Sequence, residues 1–176
     1  MPLVRYATGG YICTSPFPYD GIFRRAVLNF KFHNCGAYAE LLSHEMVRSI
    51  KDVYRAREID LVTCVPMHKD TLRKRGYNQA ELLAKECASL LGIEYADLLA
   101  KTKKNKTQHS IKAAERVKNV IGVYSPIDKN LIKGKRILII DDIITTGSTL
   151  GECARILNKC KCGEICCCTL CTSLLI

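Results

Sequence analysis

What this chain lacks narrows its reading first. No apolar run approaches the roughly 20 residues needed to cross a bilayer, because charges interrupt every hydrophobic stretch, so no membrane helix is expected. The opening Met1-Pro2-Leu3-Val4-Arg5 does not have the charged-then-apolar layout of a secretory signal, and a soluble, cytoplasmic protein is expected. No internal repeat and no domain linker is visible, and 176 residues suffice for one domain with a sizeable core, not for two ordinary ones. Acidic residues are comparatively few: 17 Asp and Glu against 27 Lys and Arg leave a formal net charge of +10. That balance suggests an anionic partner, either nucleic acid or a polyphosphorylated small molecule, although a solvated basic face produces it equally well. The basic stretch 101–118 has no aromatic residue interleaved for base stacking, which places nucleic acid second.

Cysteine, by contrast, is abundant, with eleven residues. They do not fit a secreted disulfide scaffold, since the chain is not small and no export signal is seen. Six crowd the end at Cys160, Cys162, Cys166, Cys167, Cys168 and Cys171. Thiolates at this spacing can in principle hold zinc. The preferred reading is a buried strand over 164–171, in which cysteine acts as a small hydrophobe and consecutive thiols point to opposite faces.

Along the chain, the first dozen residues read as an irregular or strand-forming lead-in. Ile22, Phe23, Ala26, Val27 and Phe30 follow helical spacing over 21–32, as do Leu41, Leu42, Met46, Val47 and Ile50 over about 36–53. From Ile59 the pattern changes: 59–65 is a buried strand ending at Pro66. Asn78, with Glu81 three residues on, resembles a capping box that opens a helix through about Leu91, with Gly92 as its stop. Short strands are expected over 95–99 and 120–124, and 101–118 reads as a mobile loop or weak helix. The apolar run 136–140 suits a central parallel strand covered on both faces, and 148–158 has helical spacing. Alternating strands and helices from 59 onward predict an α/β fold with a mostly parallel central sheet flanked by helices.

The chemistry concentrates in Arg136-Ile137-Leu138-Ile139-Ile140-Asp141-Asp142-Ile143-Ile144-Thr145-Thr146-Gly147-Ser148-Thr149. An apolar strand runs into two carboxylates, then a small-residue loop, then a helix. Ligands of open α/β sheets bind at the carboxyl ends of strands, where these acids fall. Hydroxyls and unpaired N–H groups ahead of a helix N-terminus suit a phosphate, and Gly147 permits a close turn. Two adjacent acids repel phosphate, so their natural targets are sugar hydroxyls or a bridging cation.

Residues 137–149 resemble the signature by which type I phosphoribosyltransferases bind 5-phosphoribosyl-1-pyrophosphate (PRPP). The resemblance implies that Asp141 and Asp142 hold the ribose, and that Thr145, Thr146, Gly147, Ser148 and Thr149 enclose the 5-phosphate. Further stretches resemble the competence-associated ComF branch of that superfamily: Tyr19-Asp20-Gly21 with Leu28-Asn29-Phe30-Lys31-Phe32; Val65-Pro66-Met67-His68 followed by Arg73-Lys74-Arg75-Gly76-Tyr77-Asn78-Gln79; and Thr107-Gln108, Arg116, Asn119-Val120 and Gly122-Val123-Tyr124. The resemblance spans about residues 19–171. It implies a type I phosphoribosyltransferase fold in a single domain, 1–176. An α-rich, hood-like segment would occupy 1–58 and the PRPP-binding core 59–176.

It also implies that Val65, Pro66, Met67 and His68 form the pyrophosphate loop. Arg73 and Arg75 would then neutralise pyrophosphate, and Lys31 either reaches in from the first segment or faces solvent. Asp141, Asp142 and Arg75 are the expected catalytic residues. Mg²⁺ is implied by the substrate, with no direct protein ligand expected beyond Asp141 or Asp142 through water. The stretch of Lys101, Lys103, Lys104, Lys106, Lys112, Arg116 and Lys118 itself fits either a loop closing over the anion or a strip tracking a nucleic-acid backbone. The expected function is displacement of pyrophosphate from PRPP by a nitrogen acceptor, the alternative a non-catalytic role in DNA uptake or metabolism. The resemblance leaves room for a homodimer. Two departures stand out: only Cys13 precedes residue 35 where the family often carries a four-cysteine zinc module, and Lys101 and Lys103 stand where it tends to carry arginine.

Overall fold

The structure, a computed structural model, describes residues 1–32, 37–54, 58–103 and 120–173, with the side chains of 31, 32 and 37 left out. The expected roles of Lys31, Thr107, Gln108, Arg116, Asn119 and the lysines from Lys104 to Lys118 therefore lie outside the described side chains.

Strands β1 (Leu3–Ala7), β2 (Tyr11–Ser15) and β3 (Phe17–Pro18) precede helices α1 (Gly21–Phe32) and α2 (Ala37–Val53). Then come β4 (Leu61–Cys64), α3 (Lys69–Arg75), α4 (Gln79–Leu91), β5 (Glu94–Tyr95) and β6 (Leu99–Lys101). β7 (Tyr124–Pro126), α5 (Lys129–Ile132), β8 (Arg136–Ile144), α6 (Ser148–Lys159) and β9 (Glu164–Thr172) complete the order. The main sheet runs β1-β2-β9-β8-β4-β5, with β3 also on β9; only the β1–β2 pair is antiparallel. β6 and β7 form a separate antiparallel pair.

The apolar run of β8 is central and buried on both faces. Ile137 and Ile139 pack with Leu150, Cys153, Ala154 and Leu157 of α6. Leu138 and Ile140 pack on the other face with Val27, Phe30, Met46, Ile50, Leu83 and Cys87 from α1, α2 and α4. β9 alternates likewise: Ile165 and Cys167 join the α6 side, Cys166 and Cys168 the opposite one. The terminal cysteines thus serve as small core side chains, where shape rather than thiol chemistry fits them. Burial pushes the thiols of Cys167 and Cys168 well above their ordinary range, and those of Cys13, Cys64 and Cys87 up to about 12.

Several expectations need correction. Ile22 and Leu41, counted in the apolar stripes of the first two helices, face solvent. The strand expected over 95–99 divides between β5 in the main sheet and β6 in the small one, and that expected over 120–124 begins only at Tyr124. Short strands are decided by their pairing partners, which local pattern does not reveal. Asn78 caps α4 by accepting the Ala80 N–H, while Glu81 holds Lys85 one turn on, at 2.6 Å.

Candidate functional site: a carboxylate pair between a basic cleft and an anion cup

The site exists because neighbouring strands end at different levels. β4 stops at Cys64, opposite Ile140, and the Val65 N–H still reaches the Ile140 carbonyl at 2.9 Å. Pro66 then removes a donor and ends the ladder. β8 continues past this point because β9 pairs with it as far as Ile144–Thr172. Asp141 and Asp142 consequently lie in the strand itself, beyond the end of β4, and not after the strand as the apolar pattern suggested. The Asp141 carboxylate accepts the Asp142 N–H at 2.8 Å.

On one side of these acids lies a cleft of about 200 Å³ lined by Val65, Pro66, Met67, Arg75, Asn78, Gln79, Lys101, Tyr124, Asp141, Asp142 and Thr149. Its cations come from two elements. Arg75 closes α3 and donates to Gln79 Oε1 at 3.0 Å. Lys101 on β6 faces Tyr124 across the β6–β7 pair, its Nζ 5.5 Å from the ring centroid. Burial lowers the affinity of Lys101 for its proton, an effect that Cys153 and Asp141 oppose. An anion entering this cleft would supply the counter-charge that such a lysine favours.

On the other side is a small cup of about 30 Å³ formed by Asp141 and residues 143–150. Gly147, at φ 72°, turns the chain into α6, whose first N–H groups face this loop without a side-chain cap from Gly147. The Thr146 and Ser148 hydroxyls lie 2.7 Å apart. Space is as restrictive as φ here: a Cβ on Gly147 would sit 2.6 Å from Ala7 Cα. One turn on, a Cβ on Gly151 would meet the Thr8 carbonyl oxygen at 2.2 Å. The end of β1 thus buttresses the loop and helix. The cup's hydroxyls, aligned N–H groups and helix dipole suit an anionic group seated at its mouth.

The fold brings Val65, Pro66, Met67, Arg75, Asp141, Asp142 and Thr149 to the cleft, and Thr145, Thr146, Gly147, Ser148 and Thr149 to the cup. It does not bring His68 or Arg73 among the cleft-lining residues. His68 caps α3, its Nδ1 accepting the Asp70 N–H at 3.2 Å, and Arg73 is exposed on that helix. Sequence reasoning did not assign Asn78, Gln79 and Tyr124 to the site, and it placed Lys101 on a loop closing over the anion, whereas the structure has it on β6. Asn78 and Gln79 close the Arg-Gly-Tyr-Asn-Gln run, and their adjacency to Arg75 was the available signal. Tyr124 became a site residue only through a strand pairing, which also fixes Lys101 beside the cleft.

This strand order, with paired acids and a loop–helix cup at the carboxyl end of the central strand, defines a type I phosphoribosyltransferase fold. The phosphoribosyl transferase domain family matches residues 77–174, and the chain belongs to it, in the ComF-type branch represented by the bacterial competence proteins. Competence protein F of Haemophilus influenzae is 31% identical over 144 residues, 79% of this chain and 63% of that protein. Competence protein ComFC of Bacillus subtilis is 29% identical over 152 residues, 86% and 60% of the two chains. DNA utilization protein YhgH of Escherichia coli is 26% identical over 133 residues, 73% and 58%. The chain therefore spans only about three fifths of the length of these curated relatives. Among solved structures, the glutamine PRPP amidotransferase of B. subtilis complexed with ADP and GMP has a TM-score of 0.54 at 18% identity, over 80% of this chain and 30% of that one. That likeness establishes the fold alone. No helix among the described residues is long and apolar enough to cross a membrane.

Proposed function

We propose that this site binds PRPP with Mg²⁺ and transfers its phosphoribosyl group to a nitrogen acceptor, releasing pyrophosphate. The observation that carries the reading is that Asp141 lines both of two anion-suited spaces, the cup of 145–149 and the basic cleft of Arg75 and Lys101, with Asp142 beside it in the cleft. PRPP has the matching order of groups: a 5-phosphate, ribose hydroxyls and a pyrophosphate. The cup takes the 5-phosphate, the acids accept hydrogen bonds from the hydroxyls, and Arg75, Lys101 and the 65–67 loop receive the pyrophosphate. In the transfer, the bond from the anomeric carbon to the pyrophosphate oxygen breaks and its electron pair leaves with pyrophosphate. The acceptor nitrogen forms the new bond and gives up its proton to solvent. Orientation and stabilisation of the departing charge supply the rate.

Among the described residues, no group of three or more His, Cys, Asp and Glu side chains could cage a metal ion. The donor set instead fits a hard cation brought by the substrate's phosphates, which Asp141 or Asp142 would help to hold. When bound, Mg²⁺ neutralises charge on the departing pyrophosphate.

Pyrophosphate release from PRPP and Mg²⁺ with ammonium or a panel of nitrogenous bases tests the reading. The wild type is expected to release it, and Arg75→Met to slow release on the order of a hundredfold. Binding of PRPP without release to any acceptor would overturn the catalytic part. A second reading, a non-catalytic role in DNA uptake or metabolism, draws support from the relatives' names and the net charge of +10. DNA affinity that vanishes at physiological salt would count against it.

A further inference from the structure

We infer that Asn78 and Gln79, consecutive residues at the start of α4, are positioning residues for the leaving group: one fixes the 65–67 loop, the other aims Arg75. The inference rests on the PRPP reading of the cleft. Both residues are nearly buried, at 7% and 1% exposure, although both are polar and both border the cleft. Burial of a primary amide is unfavourable unless its groups are paired, so their partners indicate why they are there.

The Asn78 amide is used at both ends. Its Oδ1 accepts the Ala80 N–H at 3.2 Å, which starts α4. Its Nδ2 donates to the Val65 carbonyl at 3.1 Å and lies 3.7 Å from Cys64 Sγ. The Val65 N–H is held by Ile140, so the peptide groups on both sides of Val65 are fixed where the chain leaves the sheet. Behind it, Cys64 Sγ lies 3.3 Å from the Tyr95 hydroxyl, which donates to Asp97 at 2.5 Å. Helix α4 therefore cannot shift along its axis without moving the loop that borders the cleft. Gln79 serves the second contact: its Oε1 receives Arg75 Nη1 at 3.0 Å. Arg75 is the last residue of α3, and Gly76 at φ 87° turns the chain straight back to Asn78. The Arg-Gly-Tyr-Asn-Gln run thus closes on itself, a cation at one end and the amide that steers it at the other.

A plain helix cap needs no second donor, and a core glutamine needs no arginine. Asn78→Ser separates the two roles of Asn78, because serine still caps a helix but cannot reach the Val65 carbonyl. Gln79→Met keeps volume and helix propensity while removing the acceptor for Arg75. The test is calorimetric titration of wild type and both variants with Mg²⁺-pyrophosphate, Mg²⁺-PRPP and ribose 5-phosphate. Pyrophosphate and PRPP are expected to bind each variant about tenfold more weakly, the effect of one lost hydrogen bond, with ribose 5-phosphate unchanged. Equal losses for all three ligands would mark a merely structural role and overturn the inference, as would no change in any. Failure of the folded wild type to bind any of them would instead bring down the PRPP reading, and the inference with it.

Discussion

Gly151 and Glu152, neighbours on α6, show how tightly single residues are held beside this site. Gly151 lies within α6, where alanine ordinarily improves a helix by about 1 kcal/mol. Here an added methyl would meet the Thr8 carbonyl oxygen at 2.2 Å, so Gly151→Ala is expected to destabilise the fold by about 1–3 kcal/mol. Urea denaturation reads this directly, and a stabilised variant would show that the end of β1 does not press on the helix. Glu152 beside it is buried, takes a two-pronged bond from Arg155 at 2.6 and 2.7 Å, and accepts the Gly122 N–H at 2.8 Å. The Arg155 bonds foremost hold its carboxyl below the ordinary 4.5. With a depressed folded-state pKa, the unfolded chain takes up the proton first as pH falls. The stabilisation is whole above about 4.5 and is lost as pH drops through the lower folded value. Glu152→Gln should flatten the acid limb of a stability–pH profile; an unchanged limb would contradict that account. Neither feature was legible in the sequence, because Gly151 is constrained by Thr8, from the opposite end of the chain, and Glu152 by the Gly122 backbone, outside its own helix.

At the scale of elements, helices α1, α4 and α6 begin and end close to where periodicity and caps placed them. Their signals are local: Asn78 and Gly92 bracket α4, and Gly147 opens α6. β8 was legible as a central strand from its apolar run, but not its extension through Asp141 and Asp142. That extension is set by β9, which alone among its neighbours continues alongside. β9 was read as a core strand because consecutive thiols alternate faces, and it does alternate. The thiols of Cys13, Cys64 and Cys87 are pushed up to about 12 by burial, and the unfolded chain ionises them near the ordinary 9.0. Folded-state values that lie higher mean stability fully present below about 9 and lost as pH rises toward 12. Denaturation under reducing conditions should therefore show little change up to about pH 9 and a marked loss from there to pH 10, lessened in Cys167→Ala/Cys168→Ala relative to its own neutral value. A flat profile up to pH 10 would contradict the burial of these thiols.

The whole molecule joins a parallel sheet, whose strand ends carry the site, to a lead-in hairpin that extends the sheet past β9 and braces α6. The first dozen residues gave only a faint strand signal, and nothing local indicated that their partner would be the last strand of the chain. The ligand-facing half of the site was more legible. The order of acids, hydroxyls and glycine over 141–149 requires no distant element to be recognised, whereas Lys101 and Tyr124 enter through the β6–β7 pair. The central claim is that Asp141 and Asp142 hold a phosphoribosyl group between two anion sites. Titration of Mg²⁺-PRPP into the wild type and into Asp141→Asn/Asp142→Asn tests it most directly. Asparagine keeps an acceptor but not the charge, so two charge-assisted hydrogen bonds become neutral ones and binding should weaken by roughly 2–3 kcal/mol, about thirtyfold to a hundredfold. Equal affinity in the two folded proteins, or no binding by the wild type, would contradict the account.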